Sequence, residues 1–525
     1  MLKSKNKVFI LLTILLLALS LVACAVSEPT STSSKLGPTS PSSEKPTESA
    51  SPPTVGEPTD IEFFIYDLRG VGENAQPIED ALNEITESSI GVKVKFAWFG
   101  AADYVTQLNL AISTNEGYDL CTLMPREGGN FVSLHTNGML MDITDFVDSY
   151  GADMMAVVGD YRNAMSSAGR VFGIPTIRDF SSFVGILIRK DLVEQVGMLD
   201  TMQNLSSFKQ LEEVYGAILD QTGVVPVGGT KNVTVNNGLI LGDGEFANSI
   251  RYDSLGDALY CVFADLETAE VSLLPEHPTF RAEMEMVRRW YNNGWVYKDS
   301  IVTDDHPDTL MKAGVIASSI TNAEVGTDKS KTSAIGYDLL LPVLKRFAMA
   351  SYNVNKFGTA VPVSADEPEA AIMWLNELYK SSEMMNLITW GEEGIDYVIK
   401  GGEGVFPDGI DAQSVRYHTV DFLVGNGFLS LPWQGQGANF REEGKKILAA
   451  APVSPYMGFT PALSDLTNEV ATITAVNDQY RAKVFCGSWS DADYTAYIAA
   501  LRTAGVDKYL NAFQQQLDAW IEANK

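Results

Sequence analysis

Ile61-Glu62-Phe63-Phe64-Ile65-Tyr66, Val92-Lys93-Val94-Lys95-Phe96-Ala97-Trp98 and Tyr118-Asp119-Leu120-Cys121-Thr122-Leu123-Met124 are three strand-like runs near the start of the ordered part of this 525-residue chain. Two helix patterns separate them. Pro77 stands near the start of the first, where Ile78, Leu82 and Ile85 recur at helical spacing. Asp103 opens the second, which places Tyr104, Leu108 and Ile112 on one face. A β-α-β-α-β order predicts a parallel sheet with helices on its faces. In such sheets ligands bind beyond the carboxyl ends of the strands. The first candidate binding residues are therefore Tyr66, Asp67 and Arg69 after the first strand. Trp98 ends the second, and Arg126 and Glu127 follow the third.

Downstream, Gly169-Arg170-Val171-Phe172-Gly173-Ile174-Pro175-Thr176 leads into a second apolar run, Val184 to Ile188. Pro175 stiffens the chain between them. A long extended crossing of this kind predicts a passage between two lobes, with Arg178 and Asp179 on it. A further strand-like run, Gly314 to Ile320, precedes Asn322, another candidate. The expected division places residues 60–178 with about 312–350 in an N-terminal lobe. Residues from about 179 to 311, with 351–525, form a C-terminal lobe. No internal repeat is present.

The chain ends in helices. Ser490 and Asp493 form an S-x-x-D capping signal. Tyr509, Phe513, Leu517 and Trp520 then recur every three or four residues, as expected of an amphipathic helix packed on the body. Trp290, Trp374 and Trp520 lie on helical periodicities and are expected in the core. Trp390 and Trp433 lie in glycine-rich loops and are the stronger aromatic candidates for ligand contact.

Upstream, Lys3, Lys5 and Lys7 precede a mostly apolar stretch from Val8 to Leu19, and Leu21-Val22-Ala23-Cys24 follows. A basic start, a short apolar run and small residues before the cut predict a secretory signal peptide over residues 1–23. The run is too short for a comfortable spanning helix. In residues 25–59, Ser, Thr and Pro occupy 22 of 35 positions, too little apolar surface for a core. Residues 24–59 are thus read as a disordered linker with a reach on the order of 30 Å.

The body from Asp60 to Lys525 is too long for one core. Net charge is −29. Removing residues 1–23 takes away three lysines and no acids, leaving −32. That balance disfavours nucleic acid and anionic lipid as partners. Besides Cys24, Cys121, Cys261 and Cys486 are far apart, so at most one disulfide is expected. There is no H-E-x-x-H, no G-x-S-x-G elbow, no P-loop and no G-x-G-x-x-G after a strand. Asp304-Asp305-His306-Pro307-Asp308 lacks the glycine and distal Glu of an EF-hand and is read as a solvated turn. No metal, cofactor or catalytic residue is predicted.

Leu21-Val22-Ala23-Cys24 resembles a bacterial lipobox, in which the cysteine is acylated and becomes the first residue of the mature protein. Three stretches of the body resemble family 1 extracellular solute-binding proteins of bacterial ABC importers. Asn137-Gly138-Met139-Leu140-Met141-Asp142-Ile143-Thr144-Asp145-Phe146 is one, and Gly173-Ile174-Pro175 with Arg189-Lys190-Asp191-Leu192 and Gly197 is the second. Ile188 stands where that family usually has a tyrosine. The third, Trp390-Gly391-Glu392-Glu393-Gly394-Ile395-Asp396-Tyr397, is similar to a Gly-x-Glu-Gly-x-x-Tyr segment of a lipoprotein subgroup. Leu501 to Lys508 and Gln514 to Trp520 resemble that subgroup's C-terminal domain of uncharacterised function.

The resemblance implies an α/β, type II periplasmic-binding-protein-like fold. Two α/β lobes flank a ligand cleft, with a helical C-terminal extension. It implies a monomer, lipid-anchored through Cys24 on the extracytoplasmic face of the cell membrane. Such a protein captures a small solute, most often a saccharide, and delivers it to ABC permease subunits. Two readings stand beside this one: a cell-surface glycosidase or other carbohydrate-degrading lipoprotein, and a binder of peptides or other non-sugar solutes. A sugar cleft calls for flat aromatics against ring faces and planar polar groups at hydroxyls, and the candidates above, placed by their loop positions, include both.

Overall fold

The computed structural model describes residues 57–126, 128–180, 183–236, 251–323 and 325–524. Cys24 and Glu127 lie outside them. The opening pattern folds as expected: β1 (Thr59–Asp67), α1 (Gln76–Ile90), β2 (Val92–Gly100), α2 (Tyr104–Thr114) and β3 (Leu120–Leu123). β1 pairs in parallel with β2, from Thr59 opposite Val92 to Asp67 opposite Gly100, and in parallel with β3. As the middle strand it is covered on both faces, so Ile61, Phe63, Phe64 and Ile65 are all buried. Gly358–Ala360 and Ile174–Pro175 complete this first sheet in antiparallel pairing. Trp374, on the helix Pro368–Lys380, packs edge-on against Phe63 in the same core.

A second sheet is built on Phe183–Arg189, buried along its whole length. Its neighbours are Ile316–Ala323, antiparallel from Ser318 opposite Ile188 to Ala323 opposite Phe183, and then Val225–Val227. Leu339–Leu340 and Val343–Arg346 pair with its other edge. This corrects the expected division. The run after Gly314 does not return to the first sheet; it stays in the second, and the chain returns only at Gly358–Ala360. An apolar strand pattern states that a strand forms, not which sheet receives it, because pairing is decided by distant partners.

A third apolar cluster joins the small antiparallel sheet Tyr252–Asp253, Val262–Asp265 and Val271–Leu273 to the C-terminal helices. The capping box forms as predicted: Ser490 Oγ accepts from Asp493 N, and the Asp493 carboxylate accepts from Ser490 N. On Val506–Ala523, Tyr509, Phe513 and Leu517 are fully buried, while Trp520 is half-buried against Phe459. Trp290 and Trp374 are core residues. Cys121, Cys261 and Cys486 are free and buried, so no disulfide joins them; burial pushes the Cys121 and Cys486 thiols up to about 12. Among the described residues no helix is long and apolar enough to cross a membrane.

Candidate functional site

Three stretches of chain meet between the first sheet and the rest of the body; one of them holds a helical turn, Ser351–Val354. The outbound stretch carries Thr176 to Phe180, and Ile177 exchanges backbone hydrogen bonds with Gly425 and Gly427. The return stretch, around Met349 to Phe357, bridges a third at Val453, with Met349 N donating to Pro452 O and Ser454 N to Met349 O. Arg178 ties the first two together. Its guanidinium donates to Asn353 O at 3.1 Å and lies over the rings of Phe180 and Phe357.

Two adjoining cavities open at this junction, and both are lined by Arg178, Ser330 and Lys356. The first, of about 690 Å³, meets Asn322, Lys345 and Phe347 from the second-sheet side. Tyr352 enters from the return stretch, Tyr252 from the strand Tyr252–Asp253 and Tyr260 from the loop that follows it. Tyr352 is exposed as a residue, and desolvation, with the nearby charge of Asp253, pushes its phenol up to about 12. Lys331 is held by Asp308. The second cavity, of about 710 Å³, is lined by Arg69, Asp179, His418, Trp433 and Phe440.

Trp433 is supported from beneath by Trp390 and from the side by His418 and Phe406. Both His418 nitrogens face carbonyl oxygens, Ala412 O at 3.0 Å and Thr419 O at 3.3 Å. A neutral imidazole has one N–H, so it donates to only one of the two carbonyls. Burial, reinforced by the charge of Arg69, holds the His418 pKa below its ordinary 6.5.

The structure brings Arg69, Arg178, Asp179, Asn322 and Trp433 to these cavities. Five other candidates line neither. Tyr66 is buried against Tyr104, so the end of β1 is core. The Asp67 carboxylate accepts the N–H groups of Arg69, Gly70, Val71 and Gly72 and is consumed in the turn. Trp98 packs against Phe96 and Tyr417. Arg126 is exposed and donates to Ala101 O. Trp390 is fully buried, its indole N–H donating to Leu431 O. Sequence reasoning missed Tyr252, Tyr260, Phe347, Tyr352 and Lys356. Position on the return stretch beside Arg178 is the signal that would have found the last two.

Aromatic faces, amide groups and cations converge on the two adjoining cavities, a lining chemically suited to ring stacking and hydrogen bonding. No group of three or more metal-ligating side chains occurs among the described residues.

Residues 455–522 match the domain of unknown function DUF3502, the C-terminal domain that the sequence resemblance implied. The chain is 20% identical over 467 residues to a carbohydrate ABC transporter substrate-binding protein of Streptococcus pneumoniae serotype 4, covering 88% of this chain and 91% of that protein. The N-glycan transport solute binding protein NgtS of S. pneumoniae superposes with a TM-score of 0.75 at 19% identity, over 89% of this chain and all of that one. Its complex with Man5GlcNAc gives 0.62. A solute-binding protein of Bifidobacterium longum infantis, described as binding HMO, gives 0.62 at 14% identity over 88% and 99% of the two chains. The fold is that of periplasmic-binding-protein-like solute receptors: α/β lobes about a cleft, with a helical C-terminal region.

Proposed function

We propose that this chain is the substrate-binding component of an ABC importer, capturing a saccharide and handing it to membrane permease subunits. The observation that carries the reading is the pair of adjoining cavities at the three crossing stretches, lined by Trp433, Tyr352, Arg178 and Asn322. Each chamber has the volume of a site for a drug-sized ligand, so together they accommodate an oligosaccharide. The similarity to solute-binding proteins solved with glycans and with kestose supports the same ligand class.

The mechanism is a population shift. A ligand that touches both walls only when the lobes are closed favours closure by its extra contacts. Moving the balance from 1:99 to 99:1 takes about 5.5 kcal/mol of differential binding. No bond is made or broken in this reading. Cys24 is acylated after removal of residues 1–23, and the Ser/Thr/Pro linker holds a monomeric receptor near its permease on the extracytoplasmic face.

Titration calorimetry of residues 25–525 against Man5GlcNAc and kestose tests the ligand class, with product analysis of the same mixtures. Saturable binding with intact glycan is expected; glycan turnover would overturn the receptor reading. Cys24→Ser is expected to release the protein into the medium with unchanged glycan affinity, and retention on the membrane would refute the anchor.

A further inference from the structure

The first cavity has a wall that neither the first nor the second sheet supplies. It is the loop from Asp253 to Val262, which presents Ser254, Gly256, Asp257, Ala258 and Tyr260 to the cavity. Its conformation is a disfavoured one. Leu255 and Tyr260 have φ of +52° and +56°, the left-handed region that a residue bearing a Cβ adopts only when its surroundings impose it.

Two sets of contacts hold it, one within the loop and one from the C-terminal region. Asp257 is buried, and its carboxylate accepts the N–H groups of Leu259, Cys261 and Val262 at 2.6–2.8 Å. The fourth donor is the hydroxyl of Tyr509, at 2.9 Å from the last helix. Asn477 donates to Leu259 O, and is itself held by the Tyr497 hydroxyl. The Arg481 guanidinium lies 3.9 Å over the Tyr260 ring. Ser454 donates to Asp253, whose other oxygen takes Leu255 N. The wall is thus gripped near both ends and at its middle by side chains from 454–509.

We infer that the C-terminal domain, of unassigned function, is the scaffold of the third cavity wall, with Tyr509 and Arg481 as positioning residues for Asp257 and Tyr260. The inference rests on the receptor reading above for its consequence on binding. It does not rest on it for the shape of the loop. Once the Tyr509 hydroxyl is lost, a buried carboxylate loses one of four donors, and the loop is free to leave its left-handed conformation. The wall then has to be reordered each time a ligand binds, which lowers the apparent affinity by the fraction of molecules in the competent form.

The test uses the full mature chain in four forms: wild type, Tyr509→Phe, Arg481→Gln and Gln516→Ala. Gln516 fastens the same helix to Ala462 through both ends of its amide, so it controls for loosening of the domain. Hydrogen exchange is read at the amides of Leu259, Cys261 and Val262, and Man5GlcNAc affinity by calorimetry. In Tyr509→Phe these amides are expected to lose about tenfold or more of their protection, as for loss of a bond to a charged group, while those of Phe63 to Ile65 are unchanged. Glycan affinity falls about tenfold in Tyr509→Phe and Arg481→Gln, and stays within twofold in Gln516→Ala. Unchanged protection in Tyr509→Phe overturns the scaffold, because the loop then holds itself. Lost protection with glycan affinity intact overturns the wall's part in the site. A wild type that binds no glycan refutes the receptor reading, and the exchange data still decide the scaffold.

Discussion

The rings of Trp390 and Trp433 lie 3.9 Å apart, centroid to centroid, and tilted by 36°, yet only Trp433 reaches the cavity. Trp390 is fully buried and works as the floor on which Trp433 rests. Trp433→Ala is expected to weaken glycan binding by about tenfold, the worth of a stacked aromatic, with little change in melting temperature. Trp390→Ala leaves a large hole and is expected to destabilise the fold by about 3–5 kcal/mol. Calorimetry and thermal melting of both variants give the answer; the reverse pattern would refute these roles.

Gly326 stands directly against Phe440, which lines the second cavity. A Cβ on Gly326 would lie 2.9 Å from the Phe440 ring, and its φ is +83°. One residue follows a second-sheet strand and the other opens a helix that packs beside Phe428 and the first core. Gly326→Ala therefore adds both backbone strain, about 1–2 kcal/mol, and a clash between the walls. Reduced glycan affinity is expected, together with a smaller ligand-induced drop in scattering radius. Adding Phe440→Ala relieves the clash but not the strain, so partial recovery is the outcome to look for.

Asp396 is fully buried and accepts from Glu392 N and from two nitrogens of Arg416, which also reaches Glu392. Arg416→Met leaves a buried carboxylate without its cation. The expected loss is about 3 kcal/mol, the low end of the range for breaking a buried pair. Arg416 keeps 32% of its side chain in water, which screens the interaction. Replacing Asp396 and Arg416 together by apolar residues is expected to cost less than the sum of the single changes. Urea midpoints for the four species measure the coupling.

His418 makes the second cavity sensitive to acid. In the unfolded chain an imidazole takes its proton near 6.5, whereas burial in the fold holds the pKa lower. Below 6.5 the unfolded state binds more protons, so stability falls as the pH drops through that window and is fully present above it. The melting temperature of the wild type is expected to drop more between about pH 7 and pH 5 than that of His418→Gln. Equal drops would show that His418 binds its proton equally well in the folded and unfolded chain, and would refute the lowered pKa.

Local pattern determined much of this protein. The β-α-β-α-β opening, the Ser490–Asp493 cap and the buried face of the last helix follow from periodicities and capping chemistry that act within a few residues. So does the division of tryptophans, in part: Trp290 and Trp374 sit on helical stripes and are core. Five cavity-lining residues were legible from their place in the pattern: Arg69 and Asn322 after strands, Arg178 and Asp179 on the crossing, and Trp433 in a glycine-rich loop. Tertiary structure alone decided the rest. Ile316–Ala323 reads as a strand wherever it pairs, and only the ladder against Phe183–Arg189 assigns it to the second sheet. Trp390 and Trp433 were both read in glycine-rich loops, but Trp390 ends the helix Ser382–Trp390 and is buried, so only the fold makes one the floor and the other the surface. Tyr509 was legible as an apolar face residue, but its hydroxyl meets Asp257 through a fold that closes over the intervening chain. Side-chain periodicity is a property of neighbours in sequence; strand pairing and cavity walls are contacts between residues far apart in it, and those are set by the whole chain at once.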